Sequence, residues 1–250
     1  MANRYGKGLI GCVAVVALLA LLVHWIGIST IEHYQDDLLF YLQAHLYLVL
    51  VSMLAALLVG IPAGIFLSRP SMAGRAERFM QVFNIGNTVP PLAVLAIALG
   101  FLGIGSGPAI FALFLASLLP IVRNTYEGLK NVQGSLKEAA VGIGMTPRQV
   151  LWRVELPNAV PIIMGGVRVA LAINVGTAPL AFLIGANSLG SLMTADELAI
   201  VASLIFPGIA LNNQPQLILG AACTALLALL LDGLVILISR QWLERGLRPV

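Results

Sequence analysis

Six apolar runs, most of them near the roughly 20 residues that carry a helix across a bilayer, fill this 250-residue chain. They lie near Leu9–Ile28, His45–Leu67, Phe79–Leu102, Pro108–Ile121, Ala159–Ile184 and Gln216–Ile238, the fourth being the shortest. At membrane depth there is no water to pair with the backbone, so only helices or a closed barrel can span, and these runs are too long and too apolar for barrel strands. The expectation is an all-α polytopic membrane protein with about six transmembrane helices, a single transmembrane domain over residues 1–250. Hydrophobic residues make up 59% of the chain and charged ones only 10%, far from a soluble globular composition.

The cations divide the loops into two classes. Arg4 and Lys7 precede the first run, and Arg69, Arg75 and Arg78 lie between the second and third. Arg123, Lys130, Lys137, Arg148 and Arg153 fall between the fourth and fifth, and Arg240, Arg245 and Arg248 follow the sixth. The alternate loops carry Glu32, Asp36, Asp37, Asp196 and Glu197 but no Lys or Arg. The positive-inside bias therefore predicts that both termini are cytoplasmic. It also accounts for the net charge of +3 without nucleic acid, because the cations are spread over four loops rather than gathered in a patch. The first run is longer than a signal peptide's apolar region and no small-x-small cleavage site follows it, so it reads as a retained helix with His24 and Trp25 near the outer interface.

Catalysis and metal binding find no support. Cys12 and Cys223 lie within apolar runs, where cysteine acts as a small apolar residue. His24, His33 and His45 have no Cys, Asp or Glu at metal-ligand spacing, and His45 reads as an interfacial hydrogen-bonder at the start of the second run. No phosphate-binding G-x-x-x-x-G-K-[ST] loop occurs.

Two runs are interrupted. The third contains Asn84, Gly86, Asn87, Thr88, Pro90 and Pro91, and the paired prolines should kink or unwind it. The fifth contains Asn174, Gly176, Thr177 and Pro179. Unwound or polar backbone at this depth is tolerated beside a water-filled cavity, which makes Asn87, Thr88, Pro90, Asn174 and Thr177 candidates to line a translocation path. The alternative is helix–helix packing, because small and polar residues also join membrane helices. Arg168 and Asp232 are the charges deepest in apolar runs, at similar depth, and are expected to pair.

A polar island separates the fourth and fifth runs, at about residues 126–158. Ser135 and Glu138 have capping-box spacing, predicting a helix from Leu136, and Leu136, Ala139, Ala140 and Ile143 form one apolar face. Gly144 supplies a left-handed stop; Thr146, Pro147 and Gln149 predict a second capped helix, which Pro157 should end. Local physics alone is equally content with two amphipathic helices lying on the bilayer surface. The spacing says more. Glu138-Ala139-Ala140, three residues, Gly144, nine residues and Val154-Glu155-Leu156-Pro157 resemble the EAA loop of ATP-binding-cassette importer permeases, with Val154 in place of isoleucine.

That resemblance implies a type I importer membrane domain whose coupling helix, about Ser135 to Met145, docks on a cytoplasmic ATPase. Glu138, Ala139, Ala140, Gly144, Met145, Thr146 and Pro157 are the coupling residues it implies. Asn87-Thr88-Val89-Pro90-Pro91-Leu92-Ala93, the stretch from Leu119 to Val132, Asn174-Val175-Gly176-Thr177-Ala178 and Ile184-Gly185-Ala186 resemble, more narrowly, the importer permeases for osmoprotectants such as glycine betaine, carnitine and choline. The implied partners are a cytoplasmic ATPase dimer that holds ATP and magnesium, a second permease subunit, a periplasmic or lipid-anchored solute receptor and the lipid bilayer. The chain itself would bind no cofactor. Two features depart from the family pattern: Asn187-Ser188 where glycines are usual, and a longer Thr194–Phe206 stretch. An amino-acid or sulfonate permease shares the same loop. A secondary transporter would need midplane ion-coupling groups and inverted repeats that this chain does not show. A non-transporting assembly subunit would not need two broken polar helices.

Overall fold

The computed structural model describes residues 24, 26–72, 74–86, 88–193 and 214–246, and these contain helices and turns but no strand. A short helix α1 (Ile28–His33) leads into α2 (Gln35–Leu67), and a 3-10 turn (Pro70–Met72) precedes α3 (Ala76–Gly86). Then come α4 (Pro91–Leu102), α5 (Ser106–Lys130), α6 (Gly134–Gly142), α7 (Pro147–Val150), α8 (Leu156–Thr177), α9 (Leu189–Met193) and α10 (Gln214–Gly246). A π turn, Leu151–Glu155, joins α7 to α8, and a 3-10 segment, Ala178–Ile184, prolongs α8. Among the described residues, Gln35–Leu67, Ser106–Lys130, Pro147–Ile184 and Gln216–Ser239 are long and apolar enough to span a membrane. The predicted first span falls almost wholly outside the described residues, as do Trp25, Cys12, Asn87 and Thr194–Phe206.

Several predicted boundaries are corrected. The second span begins ten residues before His45, at Gln35, where Asp36 and Asp37 sit in the first turn and favour the positive end of the helix dipole. The fourth does not stop at Ile121 but continues to Lys130. Hydropathy falls at Arg123 and Asn124, yet the helix runs on because Thr125, Gly128 and Leu129 are buried against its neighbours. The third span is two helices, with the chain turning over Thr88 and Val89 and restarting at Pro91 in the first helical turn, where a missing N–H costs nothing.

α5 is clasped between α2 and α8. The close approach is set by glycine. A Cβ on Gly60 would meet Ile121 at 2.8 Å, and one on Gly64 would meet Thr125 at 2.5 Å and the Val122 carbonyl at 2.8 Å. Gly60-Ile-Pro-Ala-Gly64 is thus a G-x-x-x-G contact of the kind that lets membrane helices come together without a hydrophobic driving force. On the other side, Gly166 lies against Asn124 and the Pro120 carbonyl, and Gly128 against Ala159. α10 packs on α8 and α9 and turns Leu229, Leu230, Leu234 and Leu237 outward. α4 is also largely bare, with Ile97 and Phe101 exposed.

Candidate functional site

The island between α5 and α8 folds as two short helices, with three differences from the expectation. α6 starts at Gly134, so the cap position belongs to Gln133, which makes no side-chain capping bond, and Ser135 lies inside the helix. Gly144 has φ +84° and stops α6, its N–H donating to the Val141 carbonyl at 2.9 Å. Thr146 caps α7 through a full capping box: its backbone N–H donates to Gln149 Oε1 at 2.8 Å and its hydroxyl accepts from the Gln149 N–H at 3.4 Å. Pro157 ends nothing. The chain passes from α7 through the π turn into α8, and Pro157 stands in the first turn of α8, where its lacking N–H is tolerated. The predicted apolar face divides. Ala140 is buried, while Leu136, Ala139 and Ile143 face outward with Glu138 and Val141. A two-turn helix with Val141 62% and Ile143 76% exposed presents an uncovered apolar surface.

The island is tied down by a buried carboxylate that sequence reasoning did not single out. Glu155, in the π turn, lies 2.8 Å from Arg69 Nη2 through Oε2 and 3.4 Å from Lys137 Nζ through Oε1. The Arg69 contact is an ion pair by distance without the alignment of a hydrogen bond. Lys137 Nζ also donates to the Leu129 carbonyl at 3.0 Å, and Arg69 Nε to the Ile65 carbonyl at 3.2 Å. The available signal is an acid two residues before a proline, flanked by apolar residues, in a segment rich in cations.

The candidate path residues do not share one surface. Thr88 and Pro90 are exposed where α3 gives way to α4, whereas Thr177 is buried at the end of α8. Asn174 is wholly buried. Its amide nitrogen donates to Ser117 Oγ at 2.7 Å and Ser52 Oγ at 2.8 Å, and lies 3.5 Å from the Leu113 carbonyl. Ser52 in turn donates to the Leu48 carbonyl at 2.7 Å. One residue from each of α2, α5 and α8 thus meets in a polar node, which is the packing alternative. His45 is no interfacial group either; it is wholly buried ten residues into α2, with its ring beside the backbone of Val175 on α8.

Arg168 and Asp232 meet in a bidentate pair, Nε to Oδ1 at 2.6 Å and Nη2 to Oδ2 at 2.9 Å, joining α8 to α10. Their side chains are 44% and 35% exposed, so the pair lies on the surface of the bundle rather than within it. The departure at Ser188 has a local purpose. Its hydroxyl accepts from the Gly190 N–H and donates to the Pro179 carbonyl, each at 3.2 Å, while its own N–H donates to Ser191 Oγ at 3.2 Å, a reciprocal cap on α9. Gly190 packs against that same Pro179 carbonyl, so α9 is pinned to the 3-10 segment.

Comparison with known proteins places this geometry in context. Residues 56–249 match the family model described as binding-protein-dependent transport system inner membrane component. The chain is 58% identical to the osmoprotectant import permease protein OsmY of Salmonella typhimurium, over 95% of this chain and 93% of that one. It is 37% identical to the glycine betaine/carnitine/choline transport system permease protein OpuCB of Bacillus subtilis, over 85% and 91% of the two chains. It is 36% identical to the carnitine transport permease protein OpuCD of Listeria monocytogenes, over 88% and 92%. Among solved structures, an inward-facing MetNI methionine ABC transporter superimposes with a TM-score of 0.66 at 22% identity, covering 87% of this chain and 99% of that one, a likeness of fold.

Proposed function

Since this chain belongs to the binding-protein-dependent transport system inner membrane components, the permease subunits of ATP-binding-cassette importers, we propose that it forms the path for a quaternary ammonium compatible solute such as glycine betaine, choline or carnitine. The observation that carries the solute class is the 58% identity to an osmoprotectant import permease over nearly the whole of both chains. The permease is a multi-pass membrane protein of type I importer fold and a transport subunit rather than an enzyme. The cation distribution supports cytoplasmic termini and a cytoplasmic α6.

In this reading α6 is the coupling helix. Val141, Ile143 and Leu136 supply apolar contact with an ATPase subunit that holds ATP and magnesium, Glu138 supplies a charge at the rim, and Gly144 and the Thr146 cap fix the turn. Closure of two ATPases on ATP would drag the coupling helices of two permeases together and turn the pair outward, towards a loaded receptor; hydrolysis would reverse it. Asn87, Thr88 and Pro90 are the path candidates retained.

The test is ATP hydrolysis by the permease reconstituted with its ATPase, receptor and any second permease. Stimulation by glycine betaine, choline or carnitine, and not by amino acids or sulfonates, is the expected result; stimulation by an amino acid or sulfonate alone overturns the solute class. Substituting Glu138→Ala or Gly144→Val should lose ATPase co-purification, and full retention in both would remove α6 from the docking role.

A further inference from the structure

We propose that Glu155 is the joint through which movement of α6 reaches the membrane helices. Four elements converge on this one carboxylate and its partners. Arg69 follows α2 and is bound back to that helix through the Ile65 carbonyl and, at 2.9 Å, Ser68 Oγ. Lys137 is on α6 and holds the Leu129 carbonyl in the last turn of α5. Glu155 itself lies in the π turn that feeds α8 without a break. Each carboxylate oxygen takes one cation, Oε2 facing Arg69 and Oε1 facing Lys137.

The arrangement suits transmission better than stability. Glu155 is only 8% exposed, and a buried charge costs desolvation that a packed apolar residue would not, so its retention here asks for another role. The ion pairs connect α6 to the end of α2, while α6 packs mainly against α7 and the π turn. When α6 is displaced, Lys137 takes Glu155 with it, and Glu155 moves both the start of α8 and, through Arg69, the end of α2. The π turn contributes by having no loop between α7 and α8 in which such a displacement could be absorbed. Glu155 acts here as a positioning residue, distinct from the outward-facing Glu138. The inference rests on α6 being the segment that the ATPase moves.

The test uses the reconstituted full complex, native and Glu155→Gln, which keeps size and hydrogen bonding but removes the charge. Hydrogen exchange is compared with and without trapping by ATP and vanadate, in the absence of solute. In the native complex trapping should change exchange in α6, in residues 61–72 and in residues 151–158. In Glu155→Gln the change in α6 persists and the other two are lost, while the ATPase still co-purifies. With loaded receptor, stimulation of hydrolysis should then fall about fivefold or more, the scale of an ordinary coupling between sites. If Glu155→Gln does not assemble, Lys137→Met, at a half-exposed position, decides the question on the same readouts. Persistence of all three exchange changes in the assembled variant overturns the proposal. A native complex in which trapping leaves α6 unchanged overturns instead the docking role of α6, and one in which α6 alone responds overturns the joint.

Discussion

Six residues apart on α8, Arg168 and Asn174 solve the same problem in opposite ways. Asn174 turns inward to α2 and α5, gives its amide hydrogens to two serines and is wholly buried. Arg168 turns outward and meets Asp232 in a two-point pair that remains nearly half exposed. The inner group is neutral and its amide nitrogen bonds to serines on two other helices, while its Oδ1 is buried with no partner among the described residues, so burial is cheaper than for a charge but not free. The outer group is charged, so it needs an opposite charge from another helix and a place where water or a protein neighbour can reach it. A bundle that must both hold together and enclose a route for a polar solute has use for both, and the two faces of one helix supply them.

This contrast can be broken at three points on α8. The largest effect should come from the charged face: Arg168→Leu or Asp232→Leu alone leaves an unpaired charge at membrane depth and should abolish recovery of assembled complex by size-exclusion chromatography. The exchange Arg168→Asp with Asp232→Arg should restore it, and failure to restore would show that the pair is not held by mutual attraction. Next comes the contact between the faces. Gly166→Val would push a side chain into Asn124 and the Pro120 carbonyl, for an expected loss of about 1–3 kcal/mol of stability, read by thermal unfolding in detergent. The smallest effect should come from Asn174→Ala, about 0.6 and at most ~1.7 kcal/mol, the range measured for hydrogen bonds between membrane helices. A larger loss, or a loss of solute-stimulated hydrolysis at unchanged stability, would return Asn174 to the path. Outside α8, Thr146→Ala should cost α7 about 1 kcal/mol through its capping box, seen as faster hydrogen exchange over residues 146–150.

Much of this was legible because the membrane is a severe solvent. Apolar length alone located α2, α5, α8 and α10, and equal depth was enough to match Arg168 with Asp232, since an unpaired charge has few other ways to exist there. Helix ends were less legible. Hydropathy reports where lipid stops and not where the helix does, so it ends α5 nine residues early and starts α2 ten residues late. Pro157 misled because proline breaks the interior of a helix but is at ease in a first turn, and a π turn before it left no trace in the pattern. The capping rule finds Thr146 and misplaces Ser135, whose spacing to Glu138 is right but whose helix begins two residues earlier, at Gly134. Gly60-x-x-x-Gly64 was plain in the sequence, but its partner, the Ile121 and Thr125 face of α5, requires three dimensions. Asn174 was ambiguous in principle: an amide suits a wet path and a dry node equally, and only its neighbours distinguish them.

The node also imposes an order of events on synthesis. Ser52 and Asn174 are 122 residues apart, with Ser117 between them. At the ~5–20 residues per second of translation, α2 must wait roughly 6–24 s in the bilayer before its last partner has been made. During that interval Ser52 is not stranded, because its hydroxyl already bonds to the Leu48 carbonyl one turn back within its own helix. The face bearing Gly60 and Gly64 is bare for about half as long, until α5 arrives, and α3 and α4 are inserted meanwhile. Assembly is therefore a matter of late capture: the last-made of the three helices carries the amide that locks the two serines already waiting.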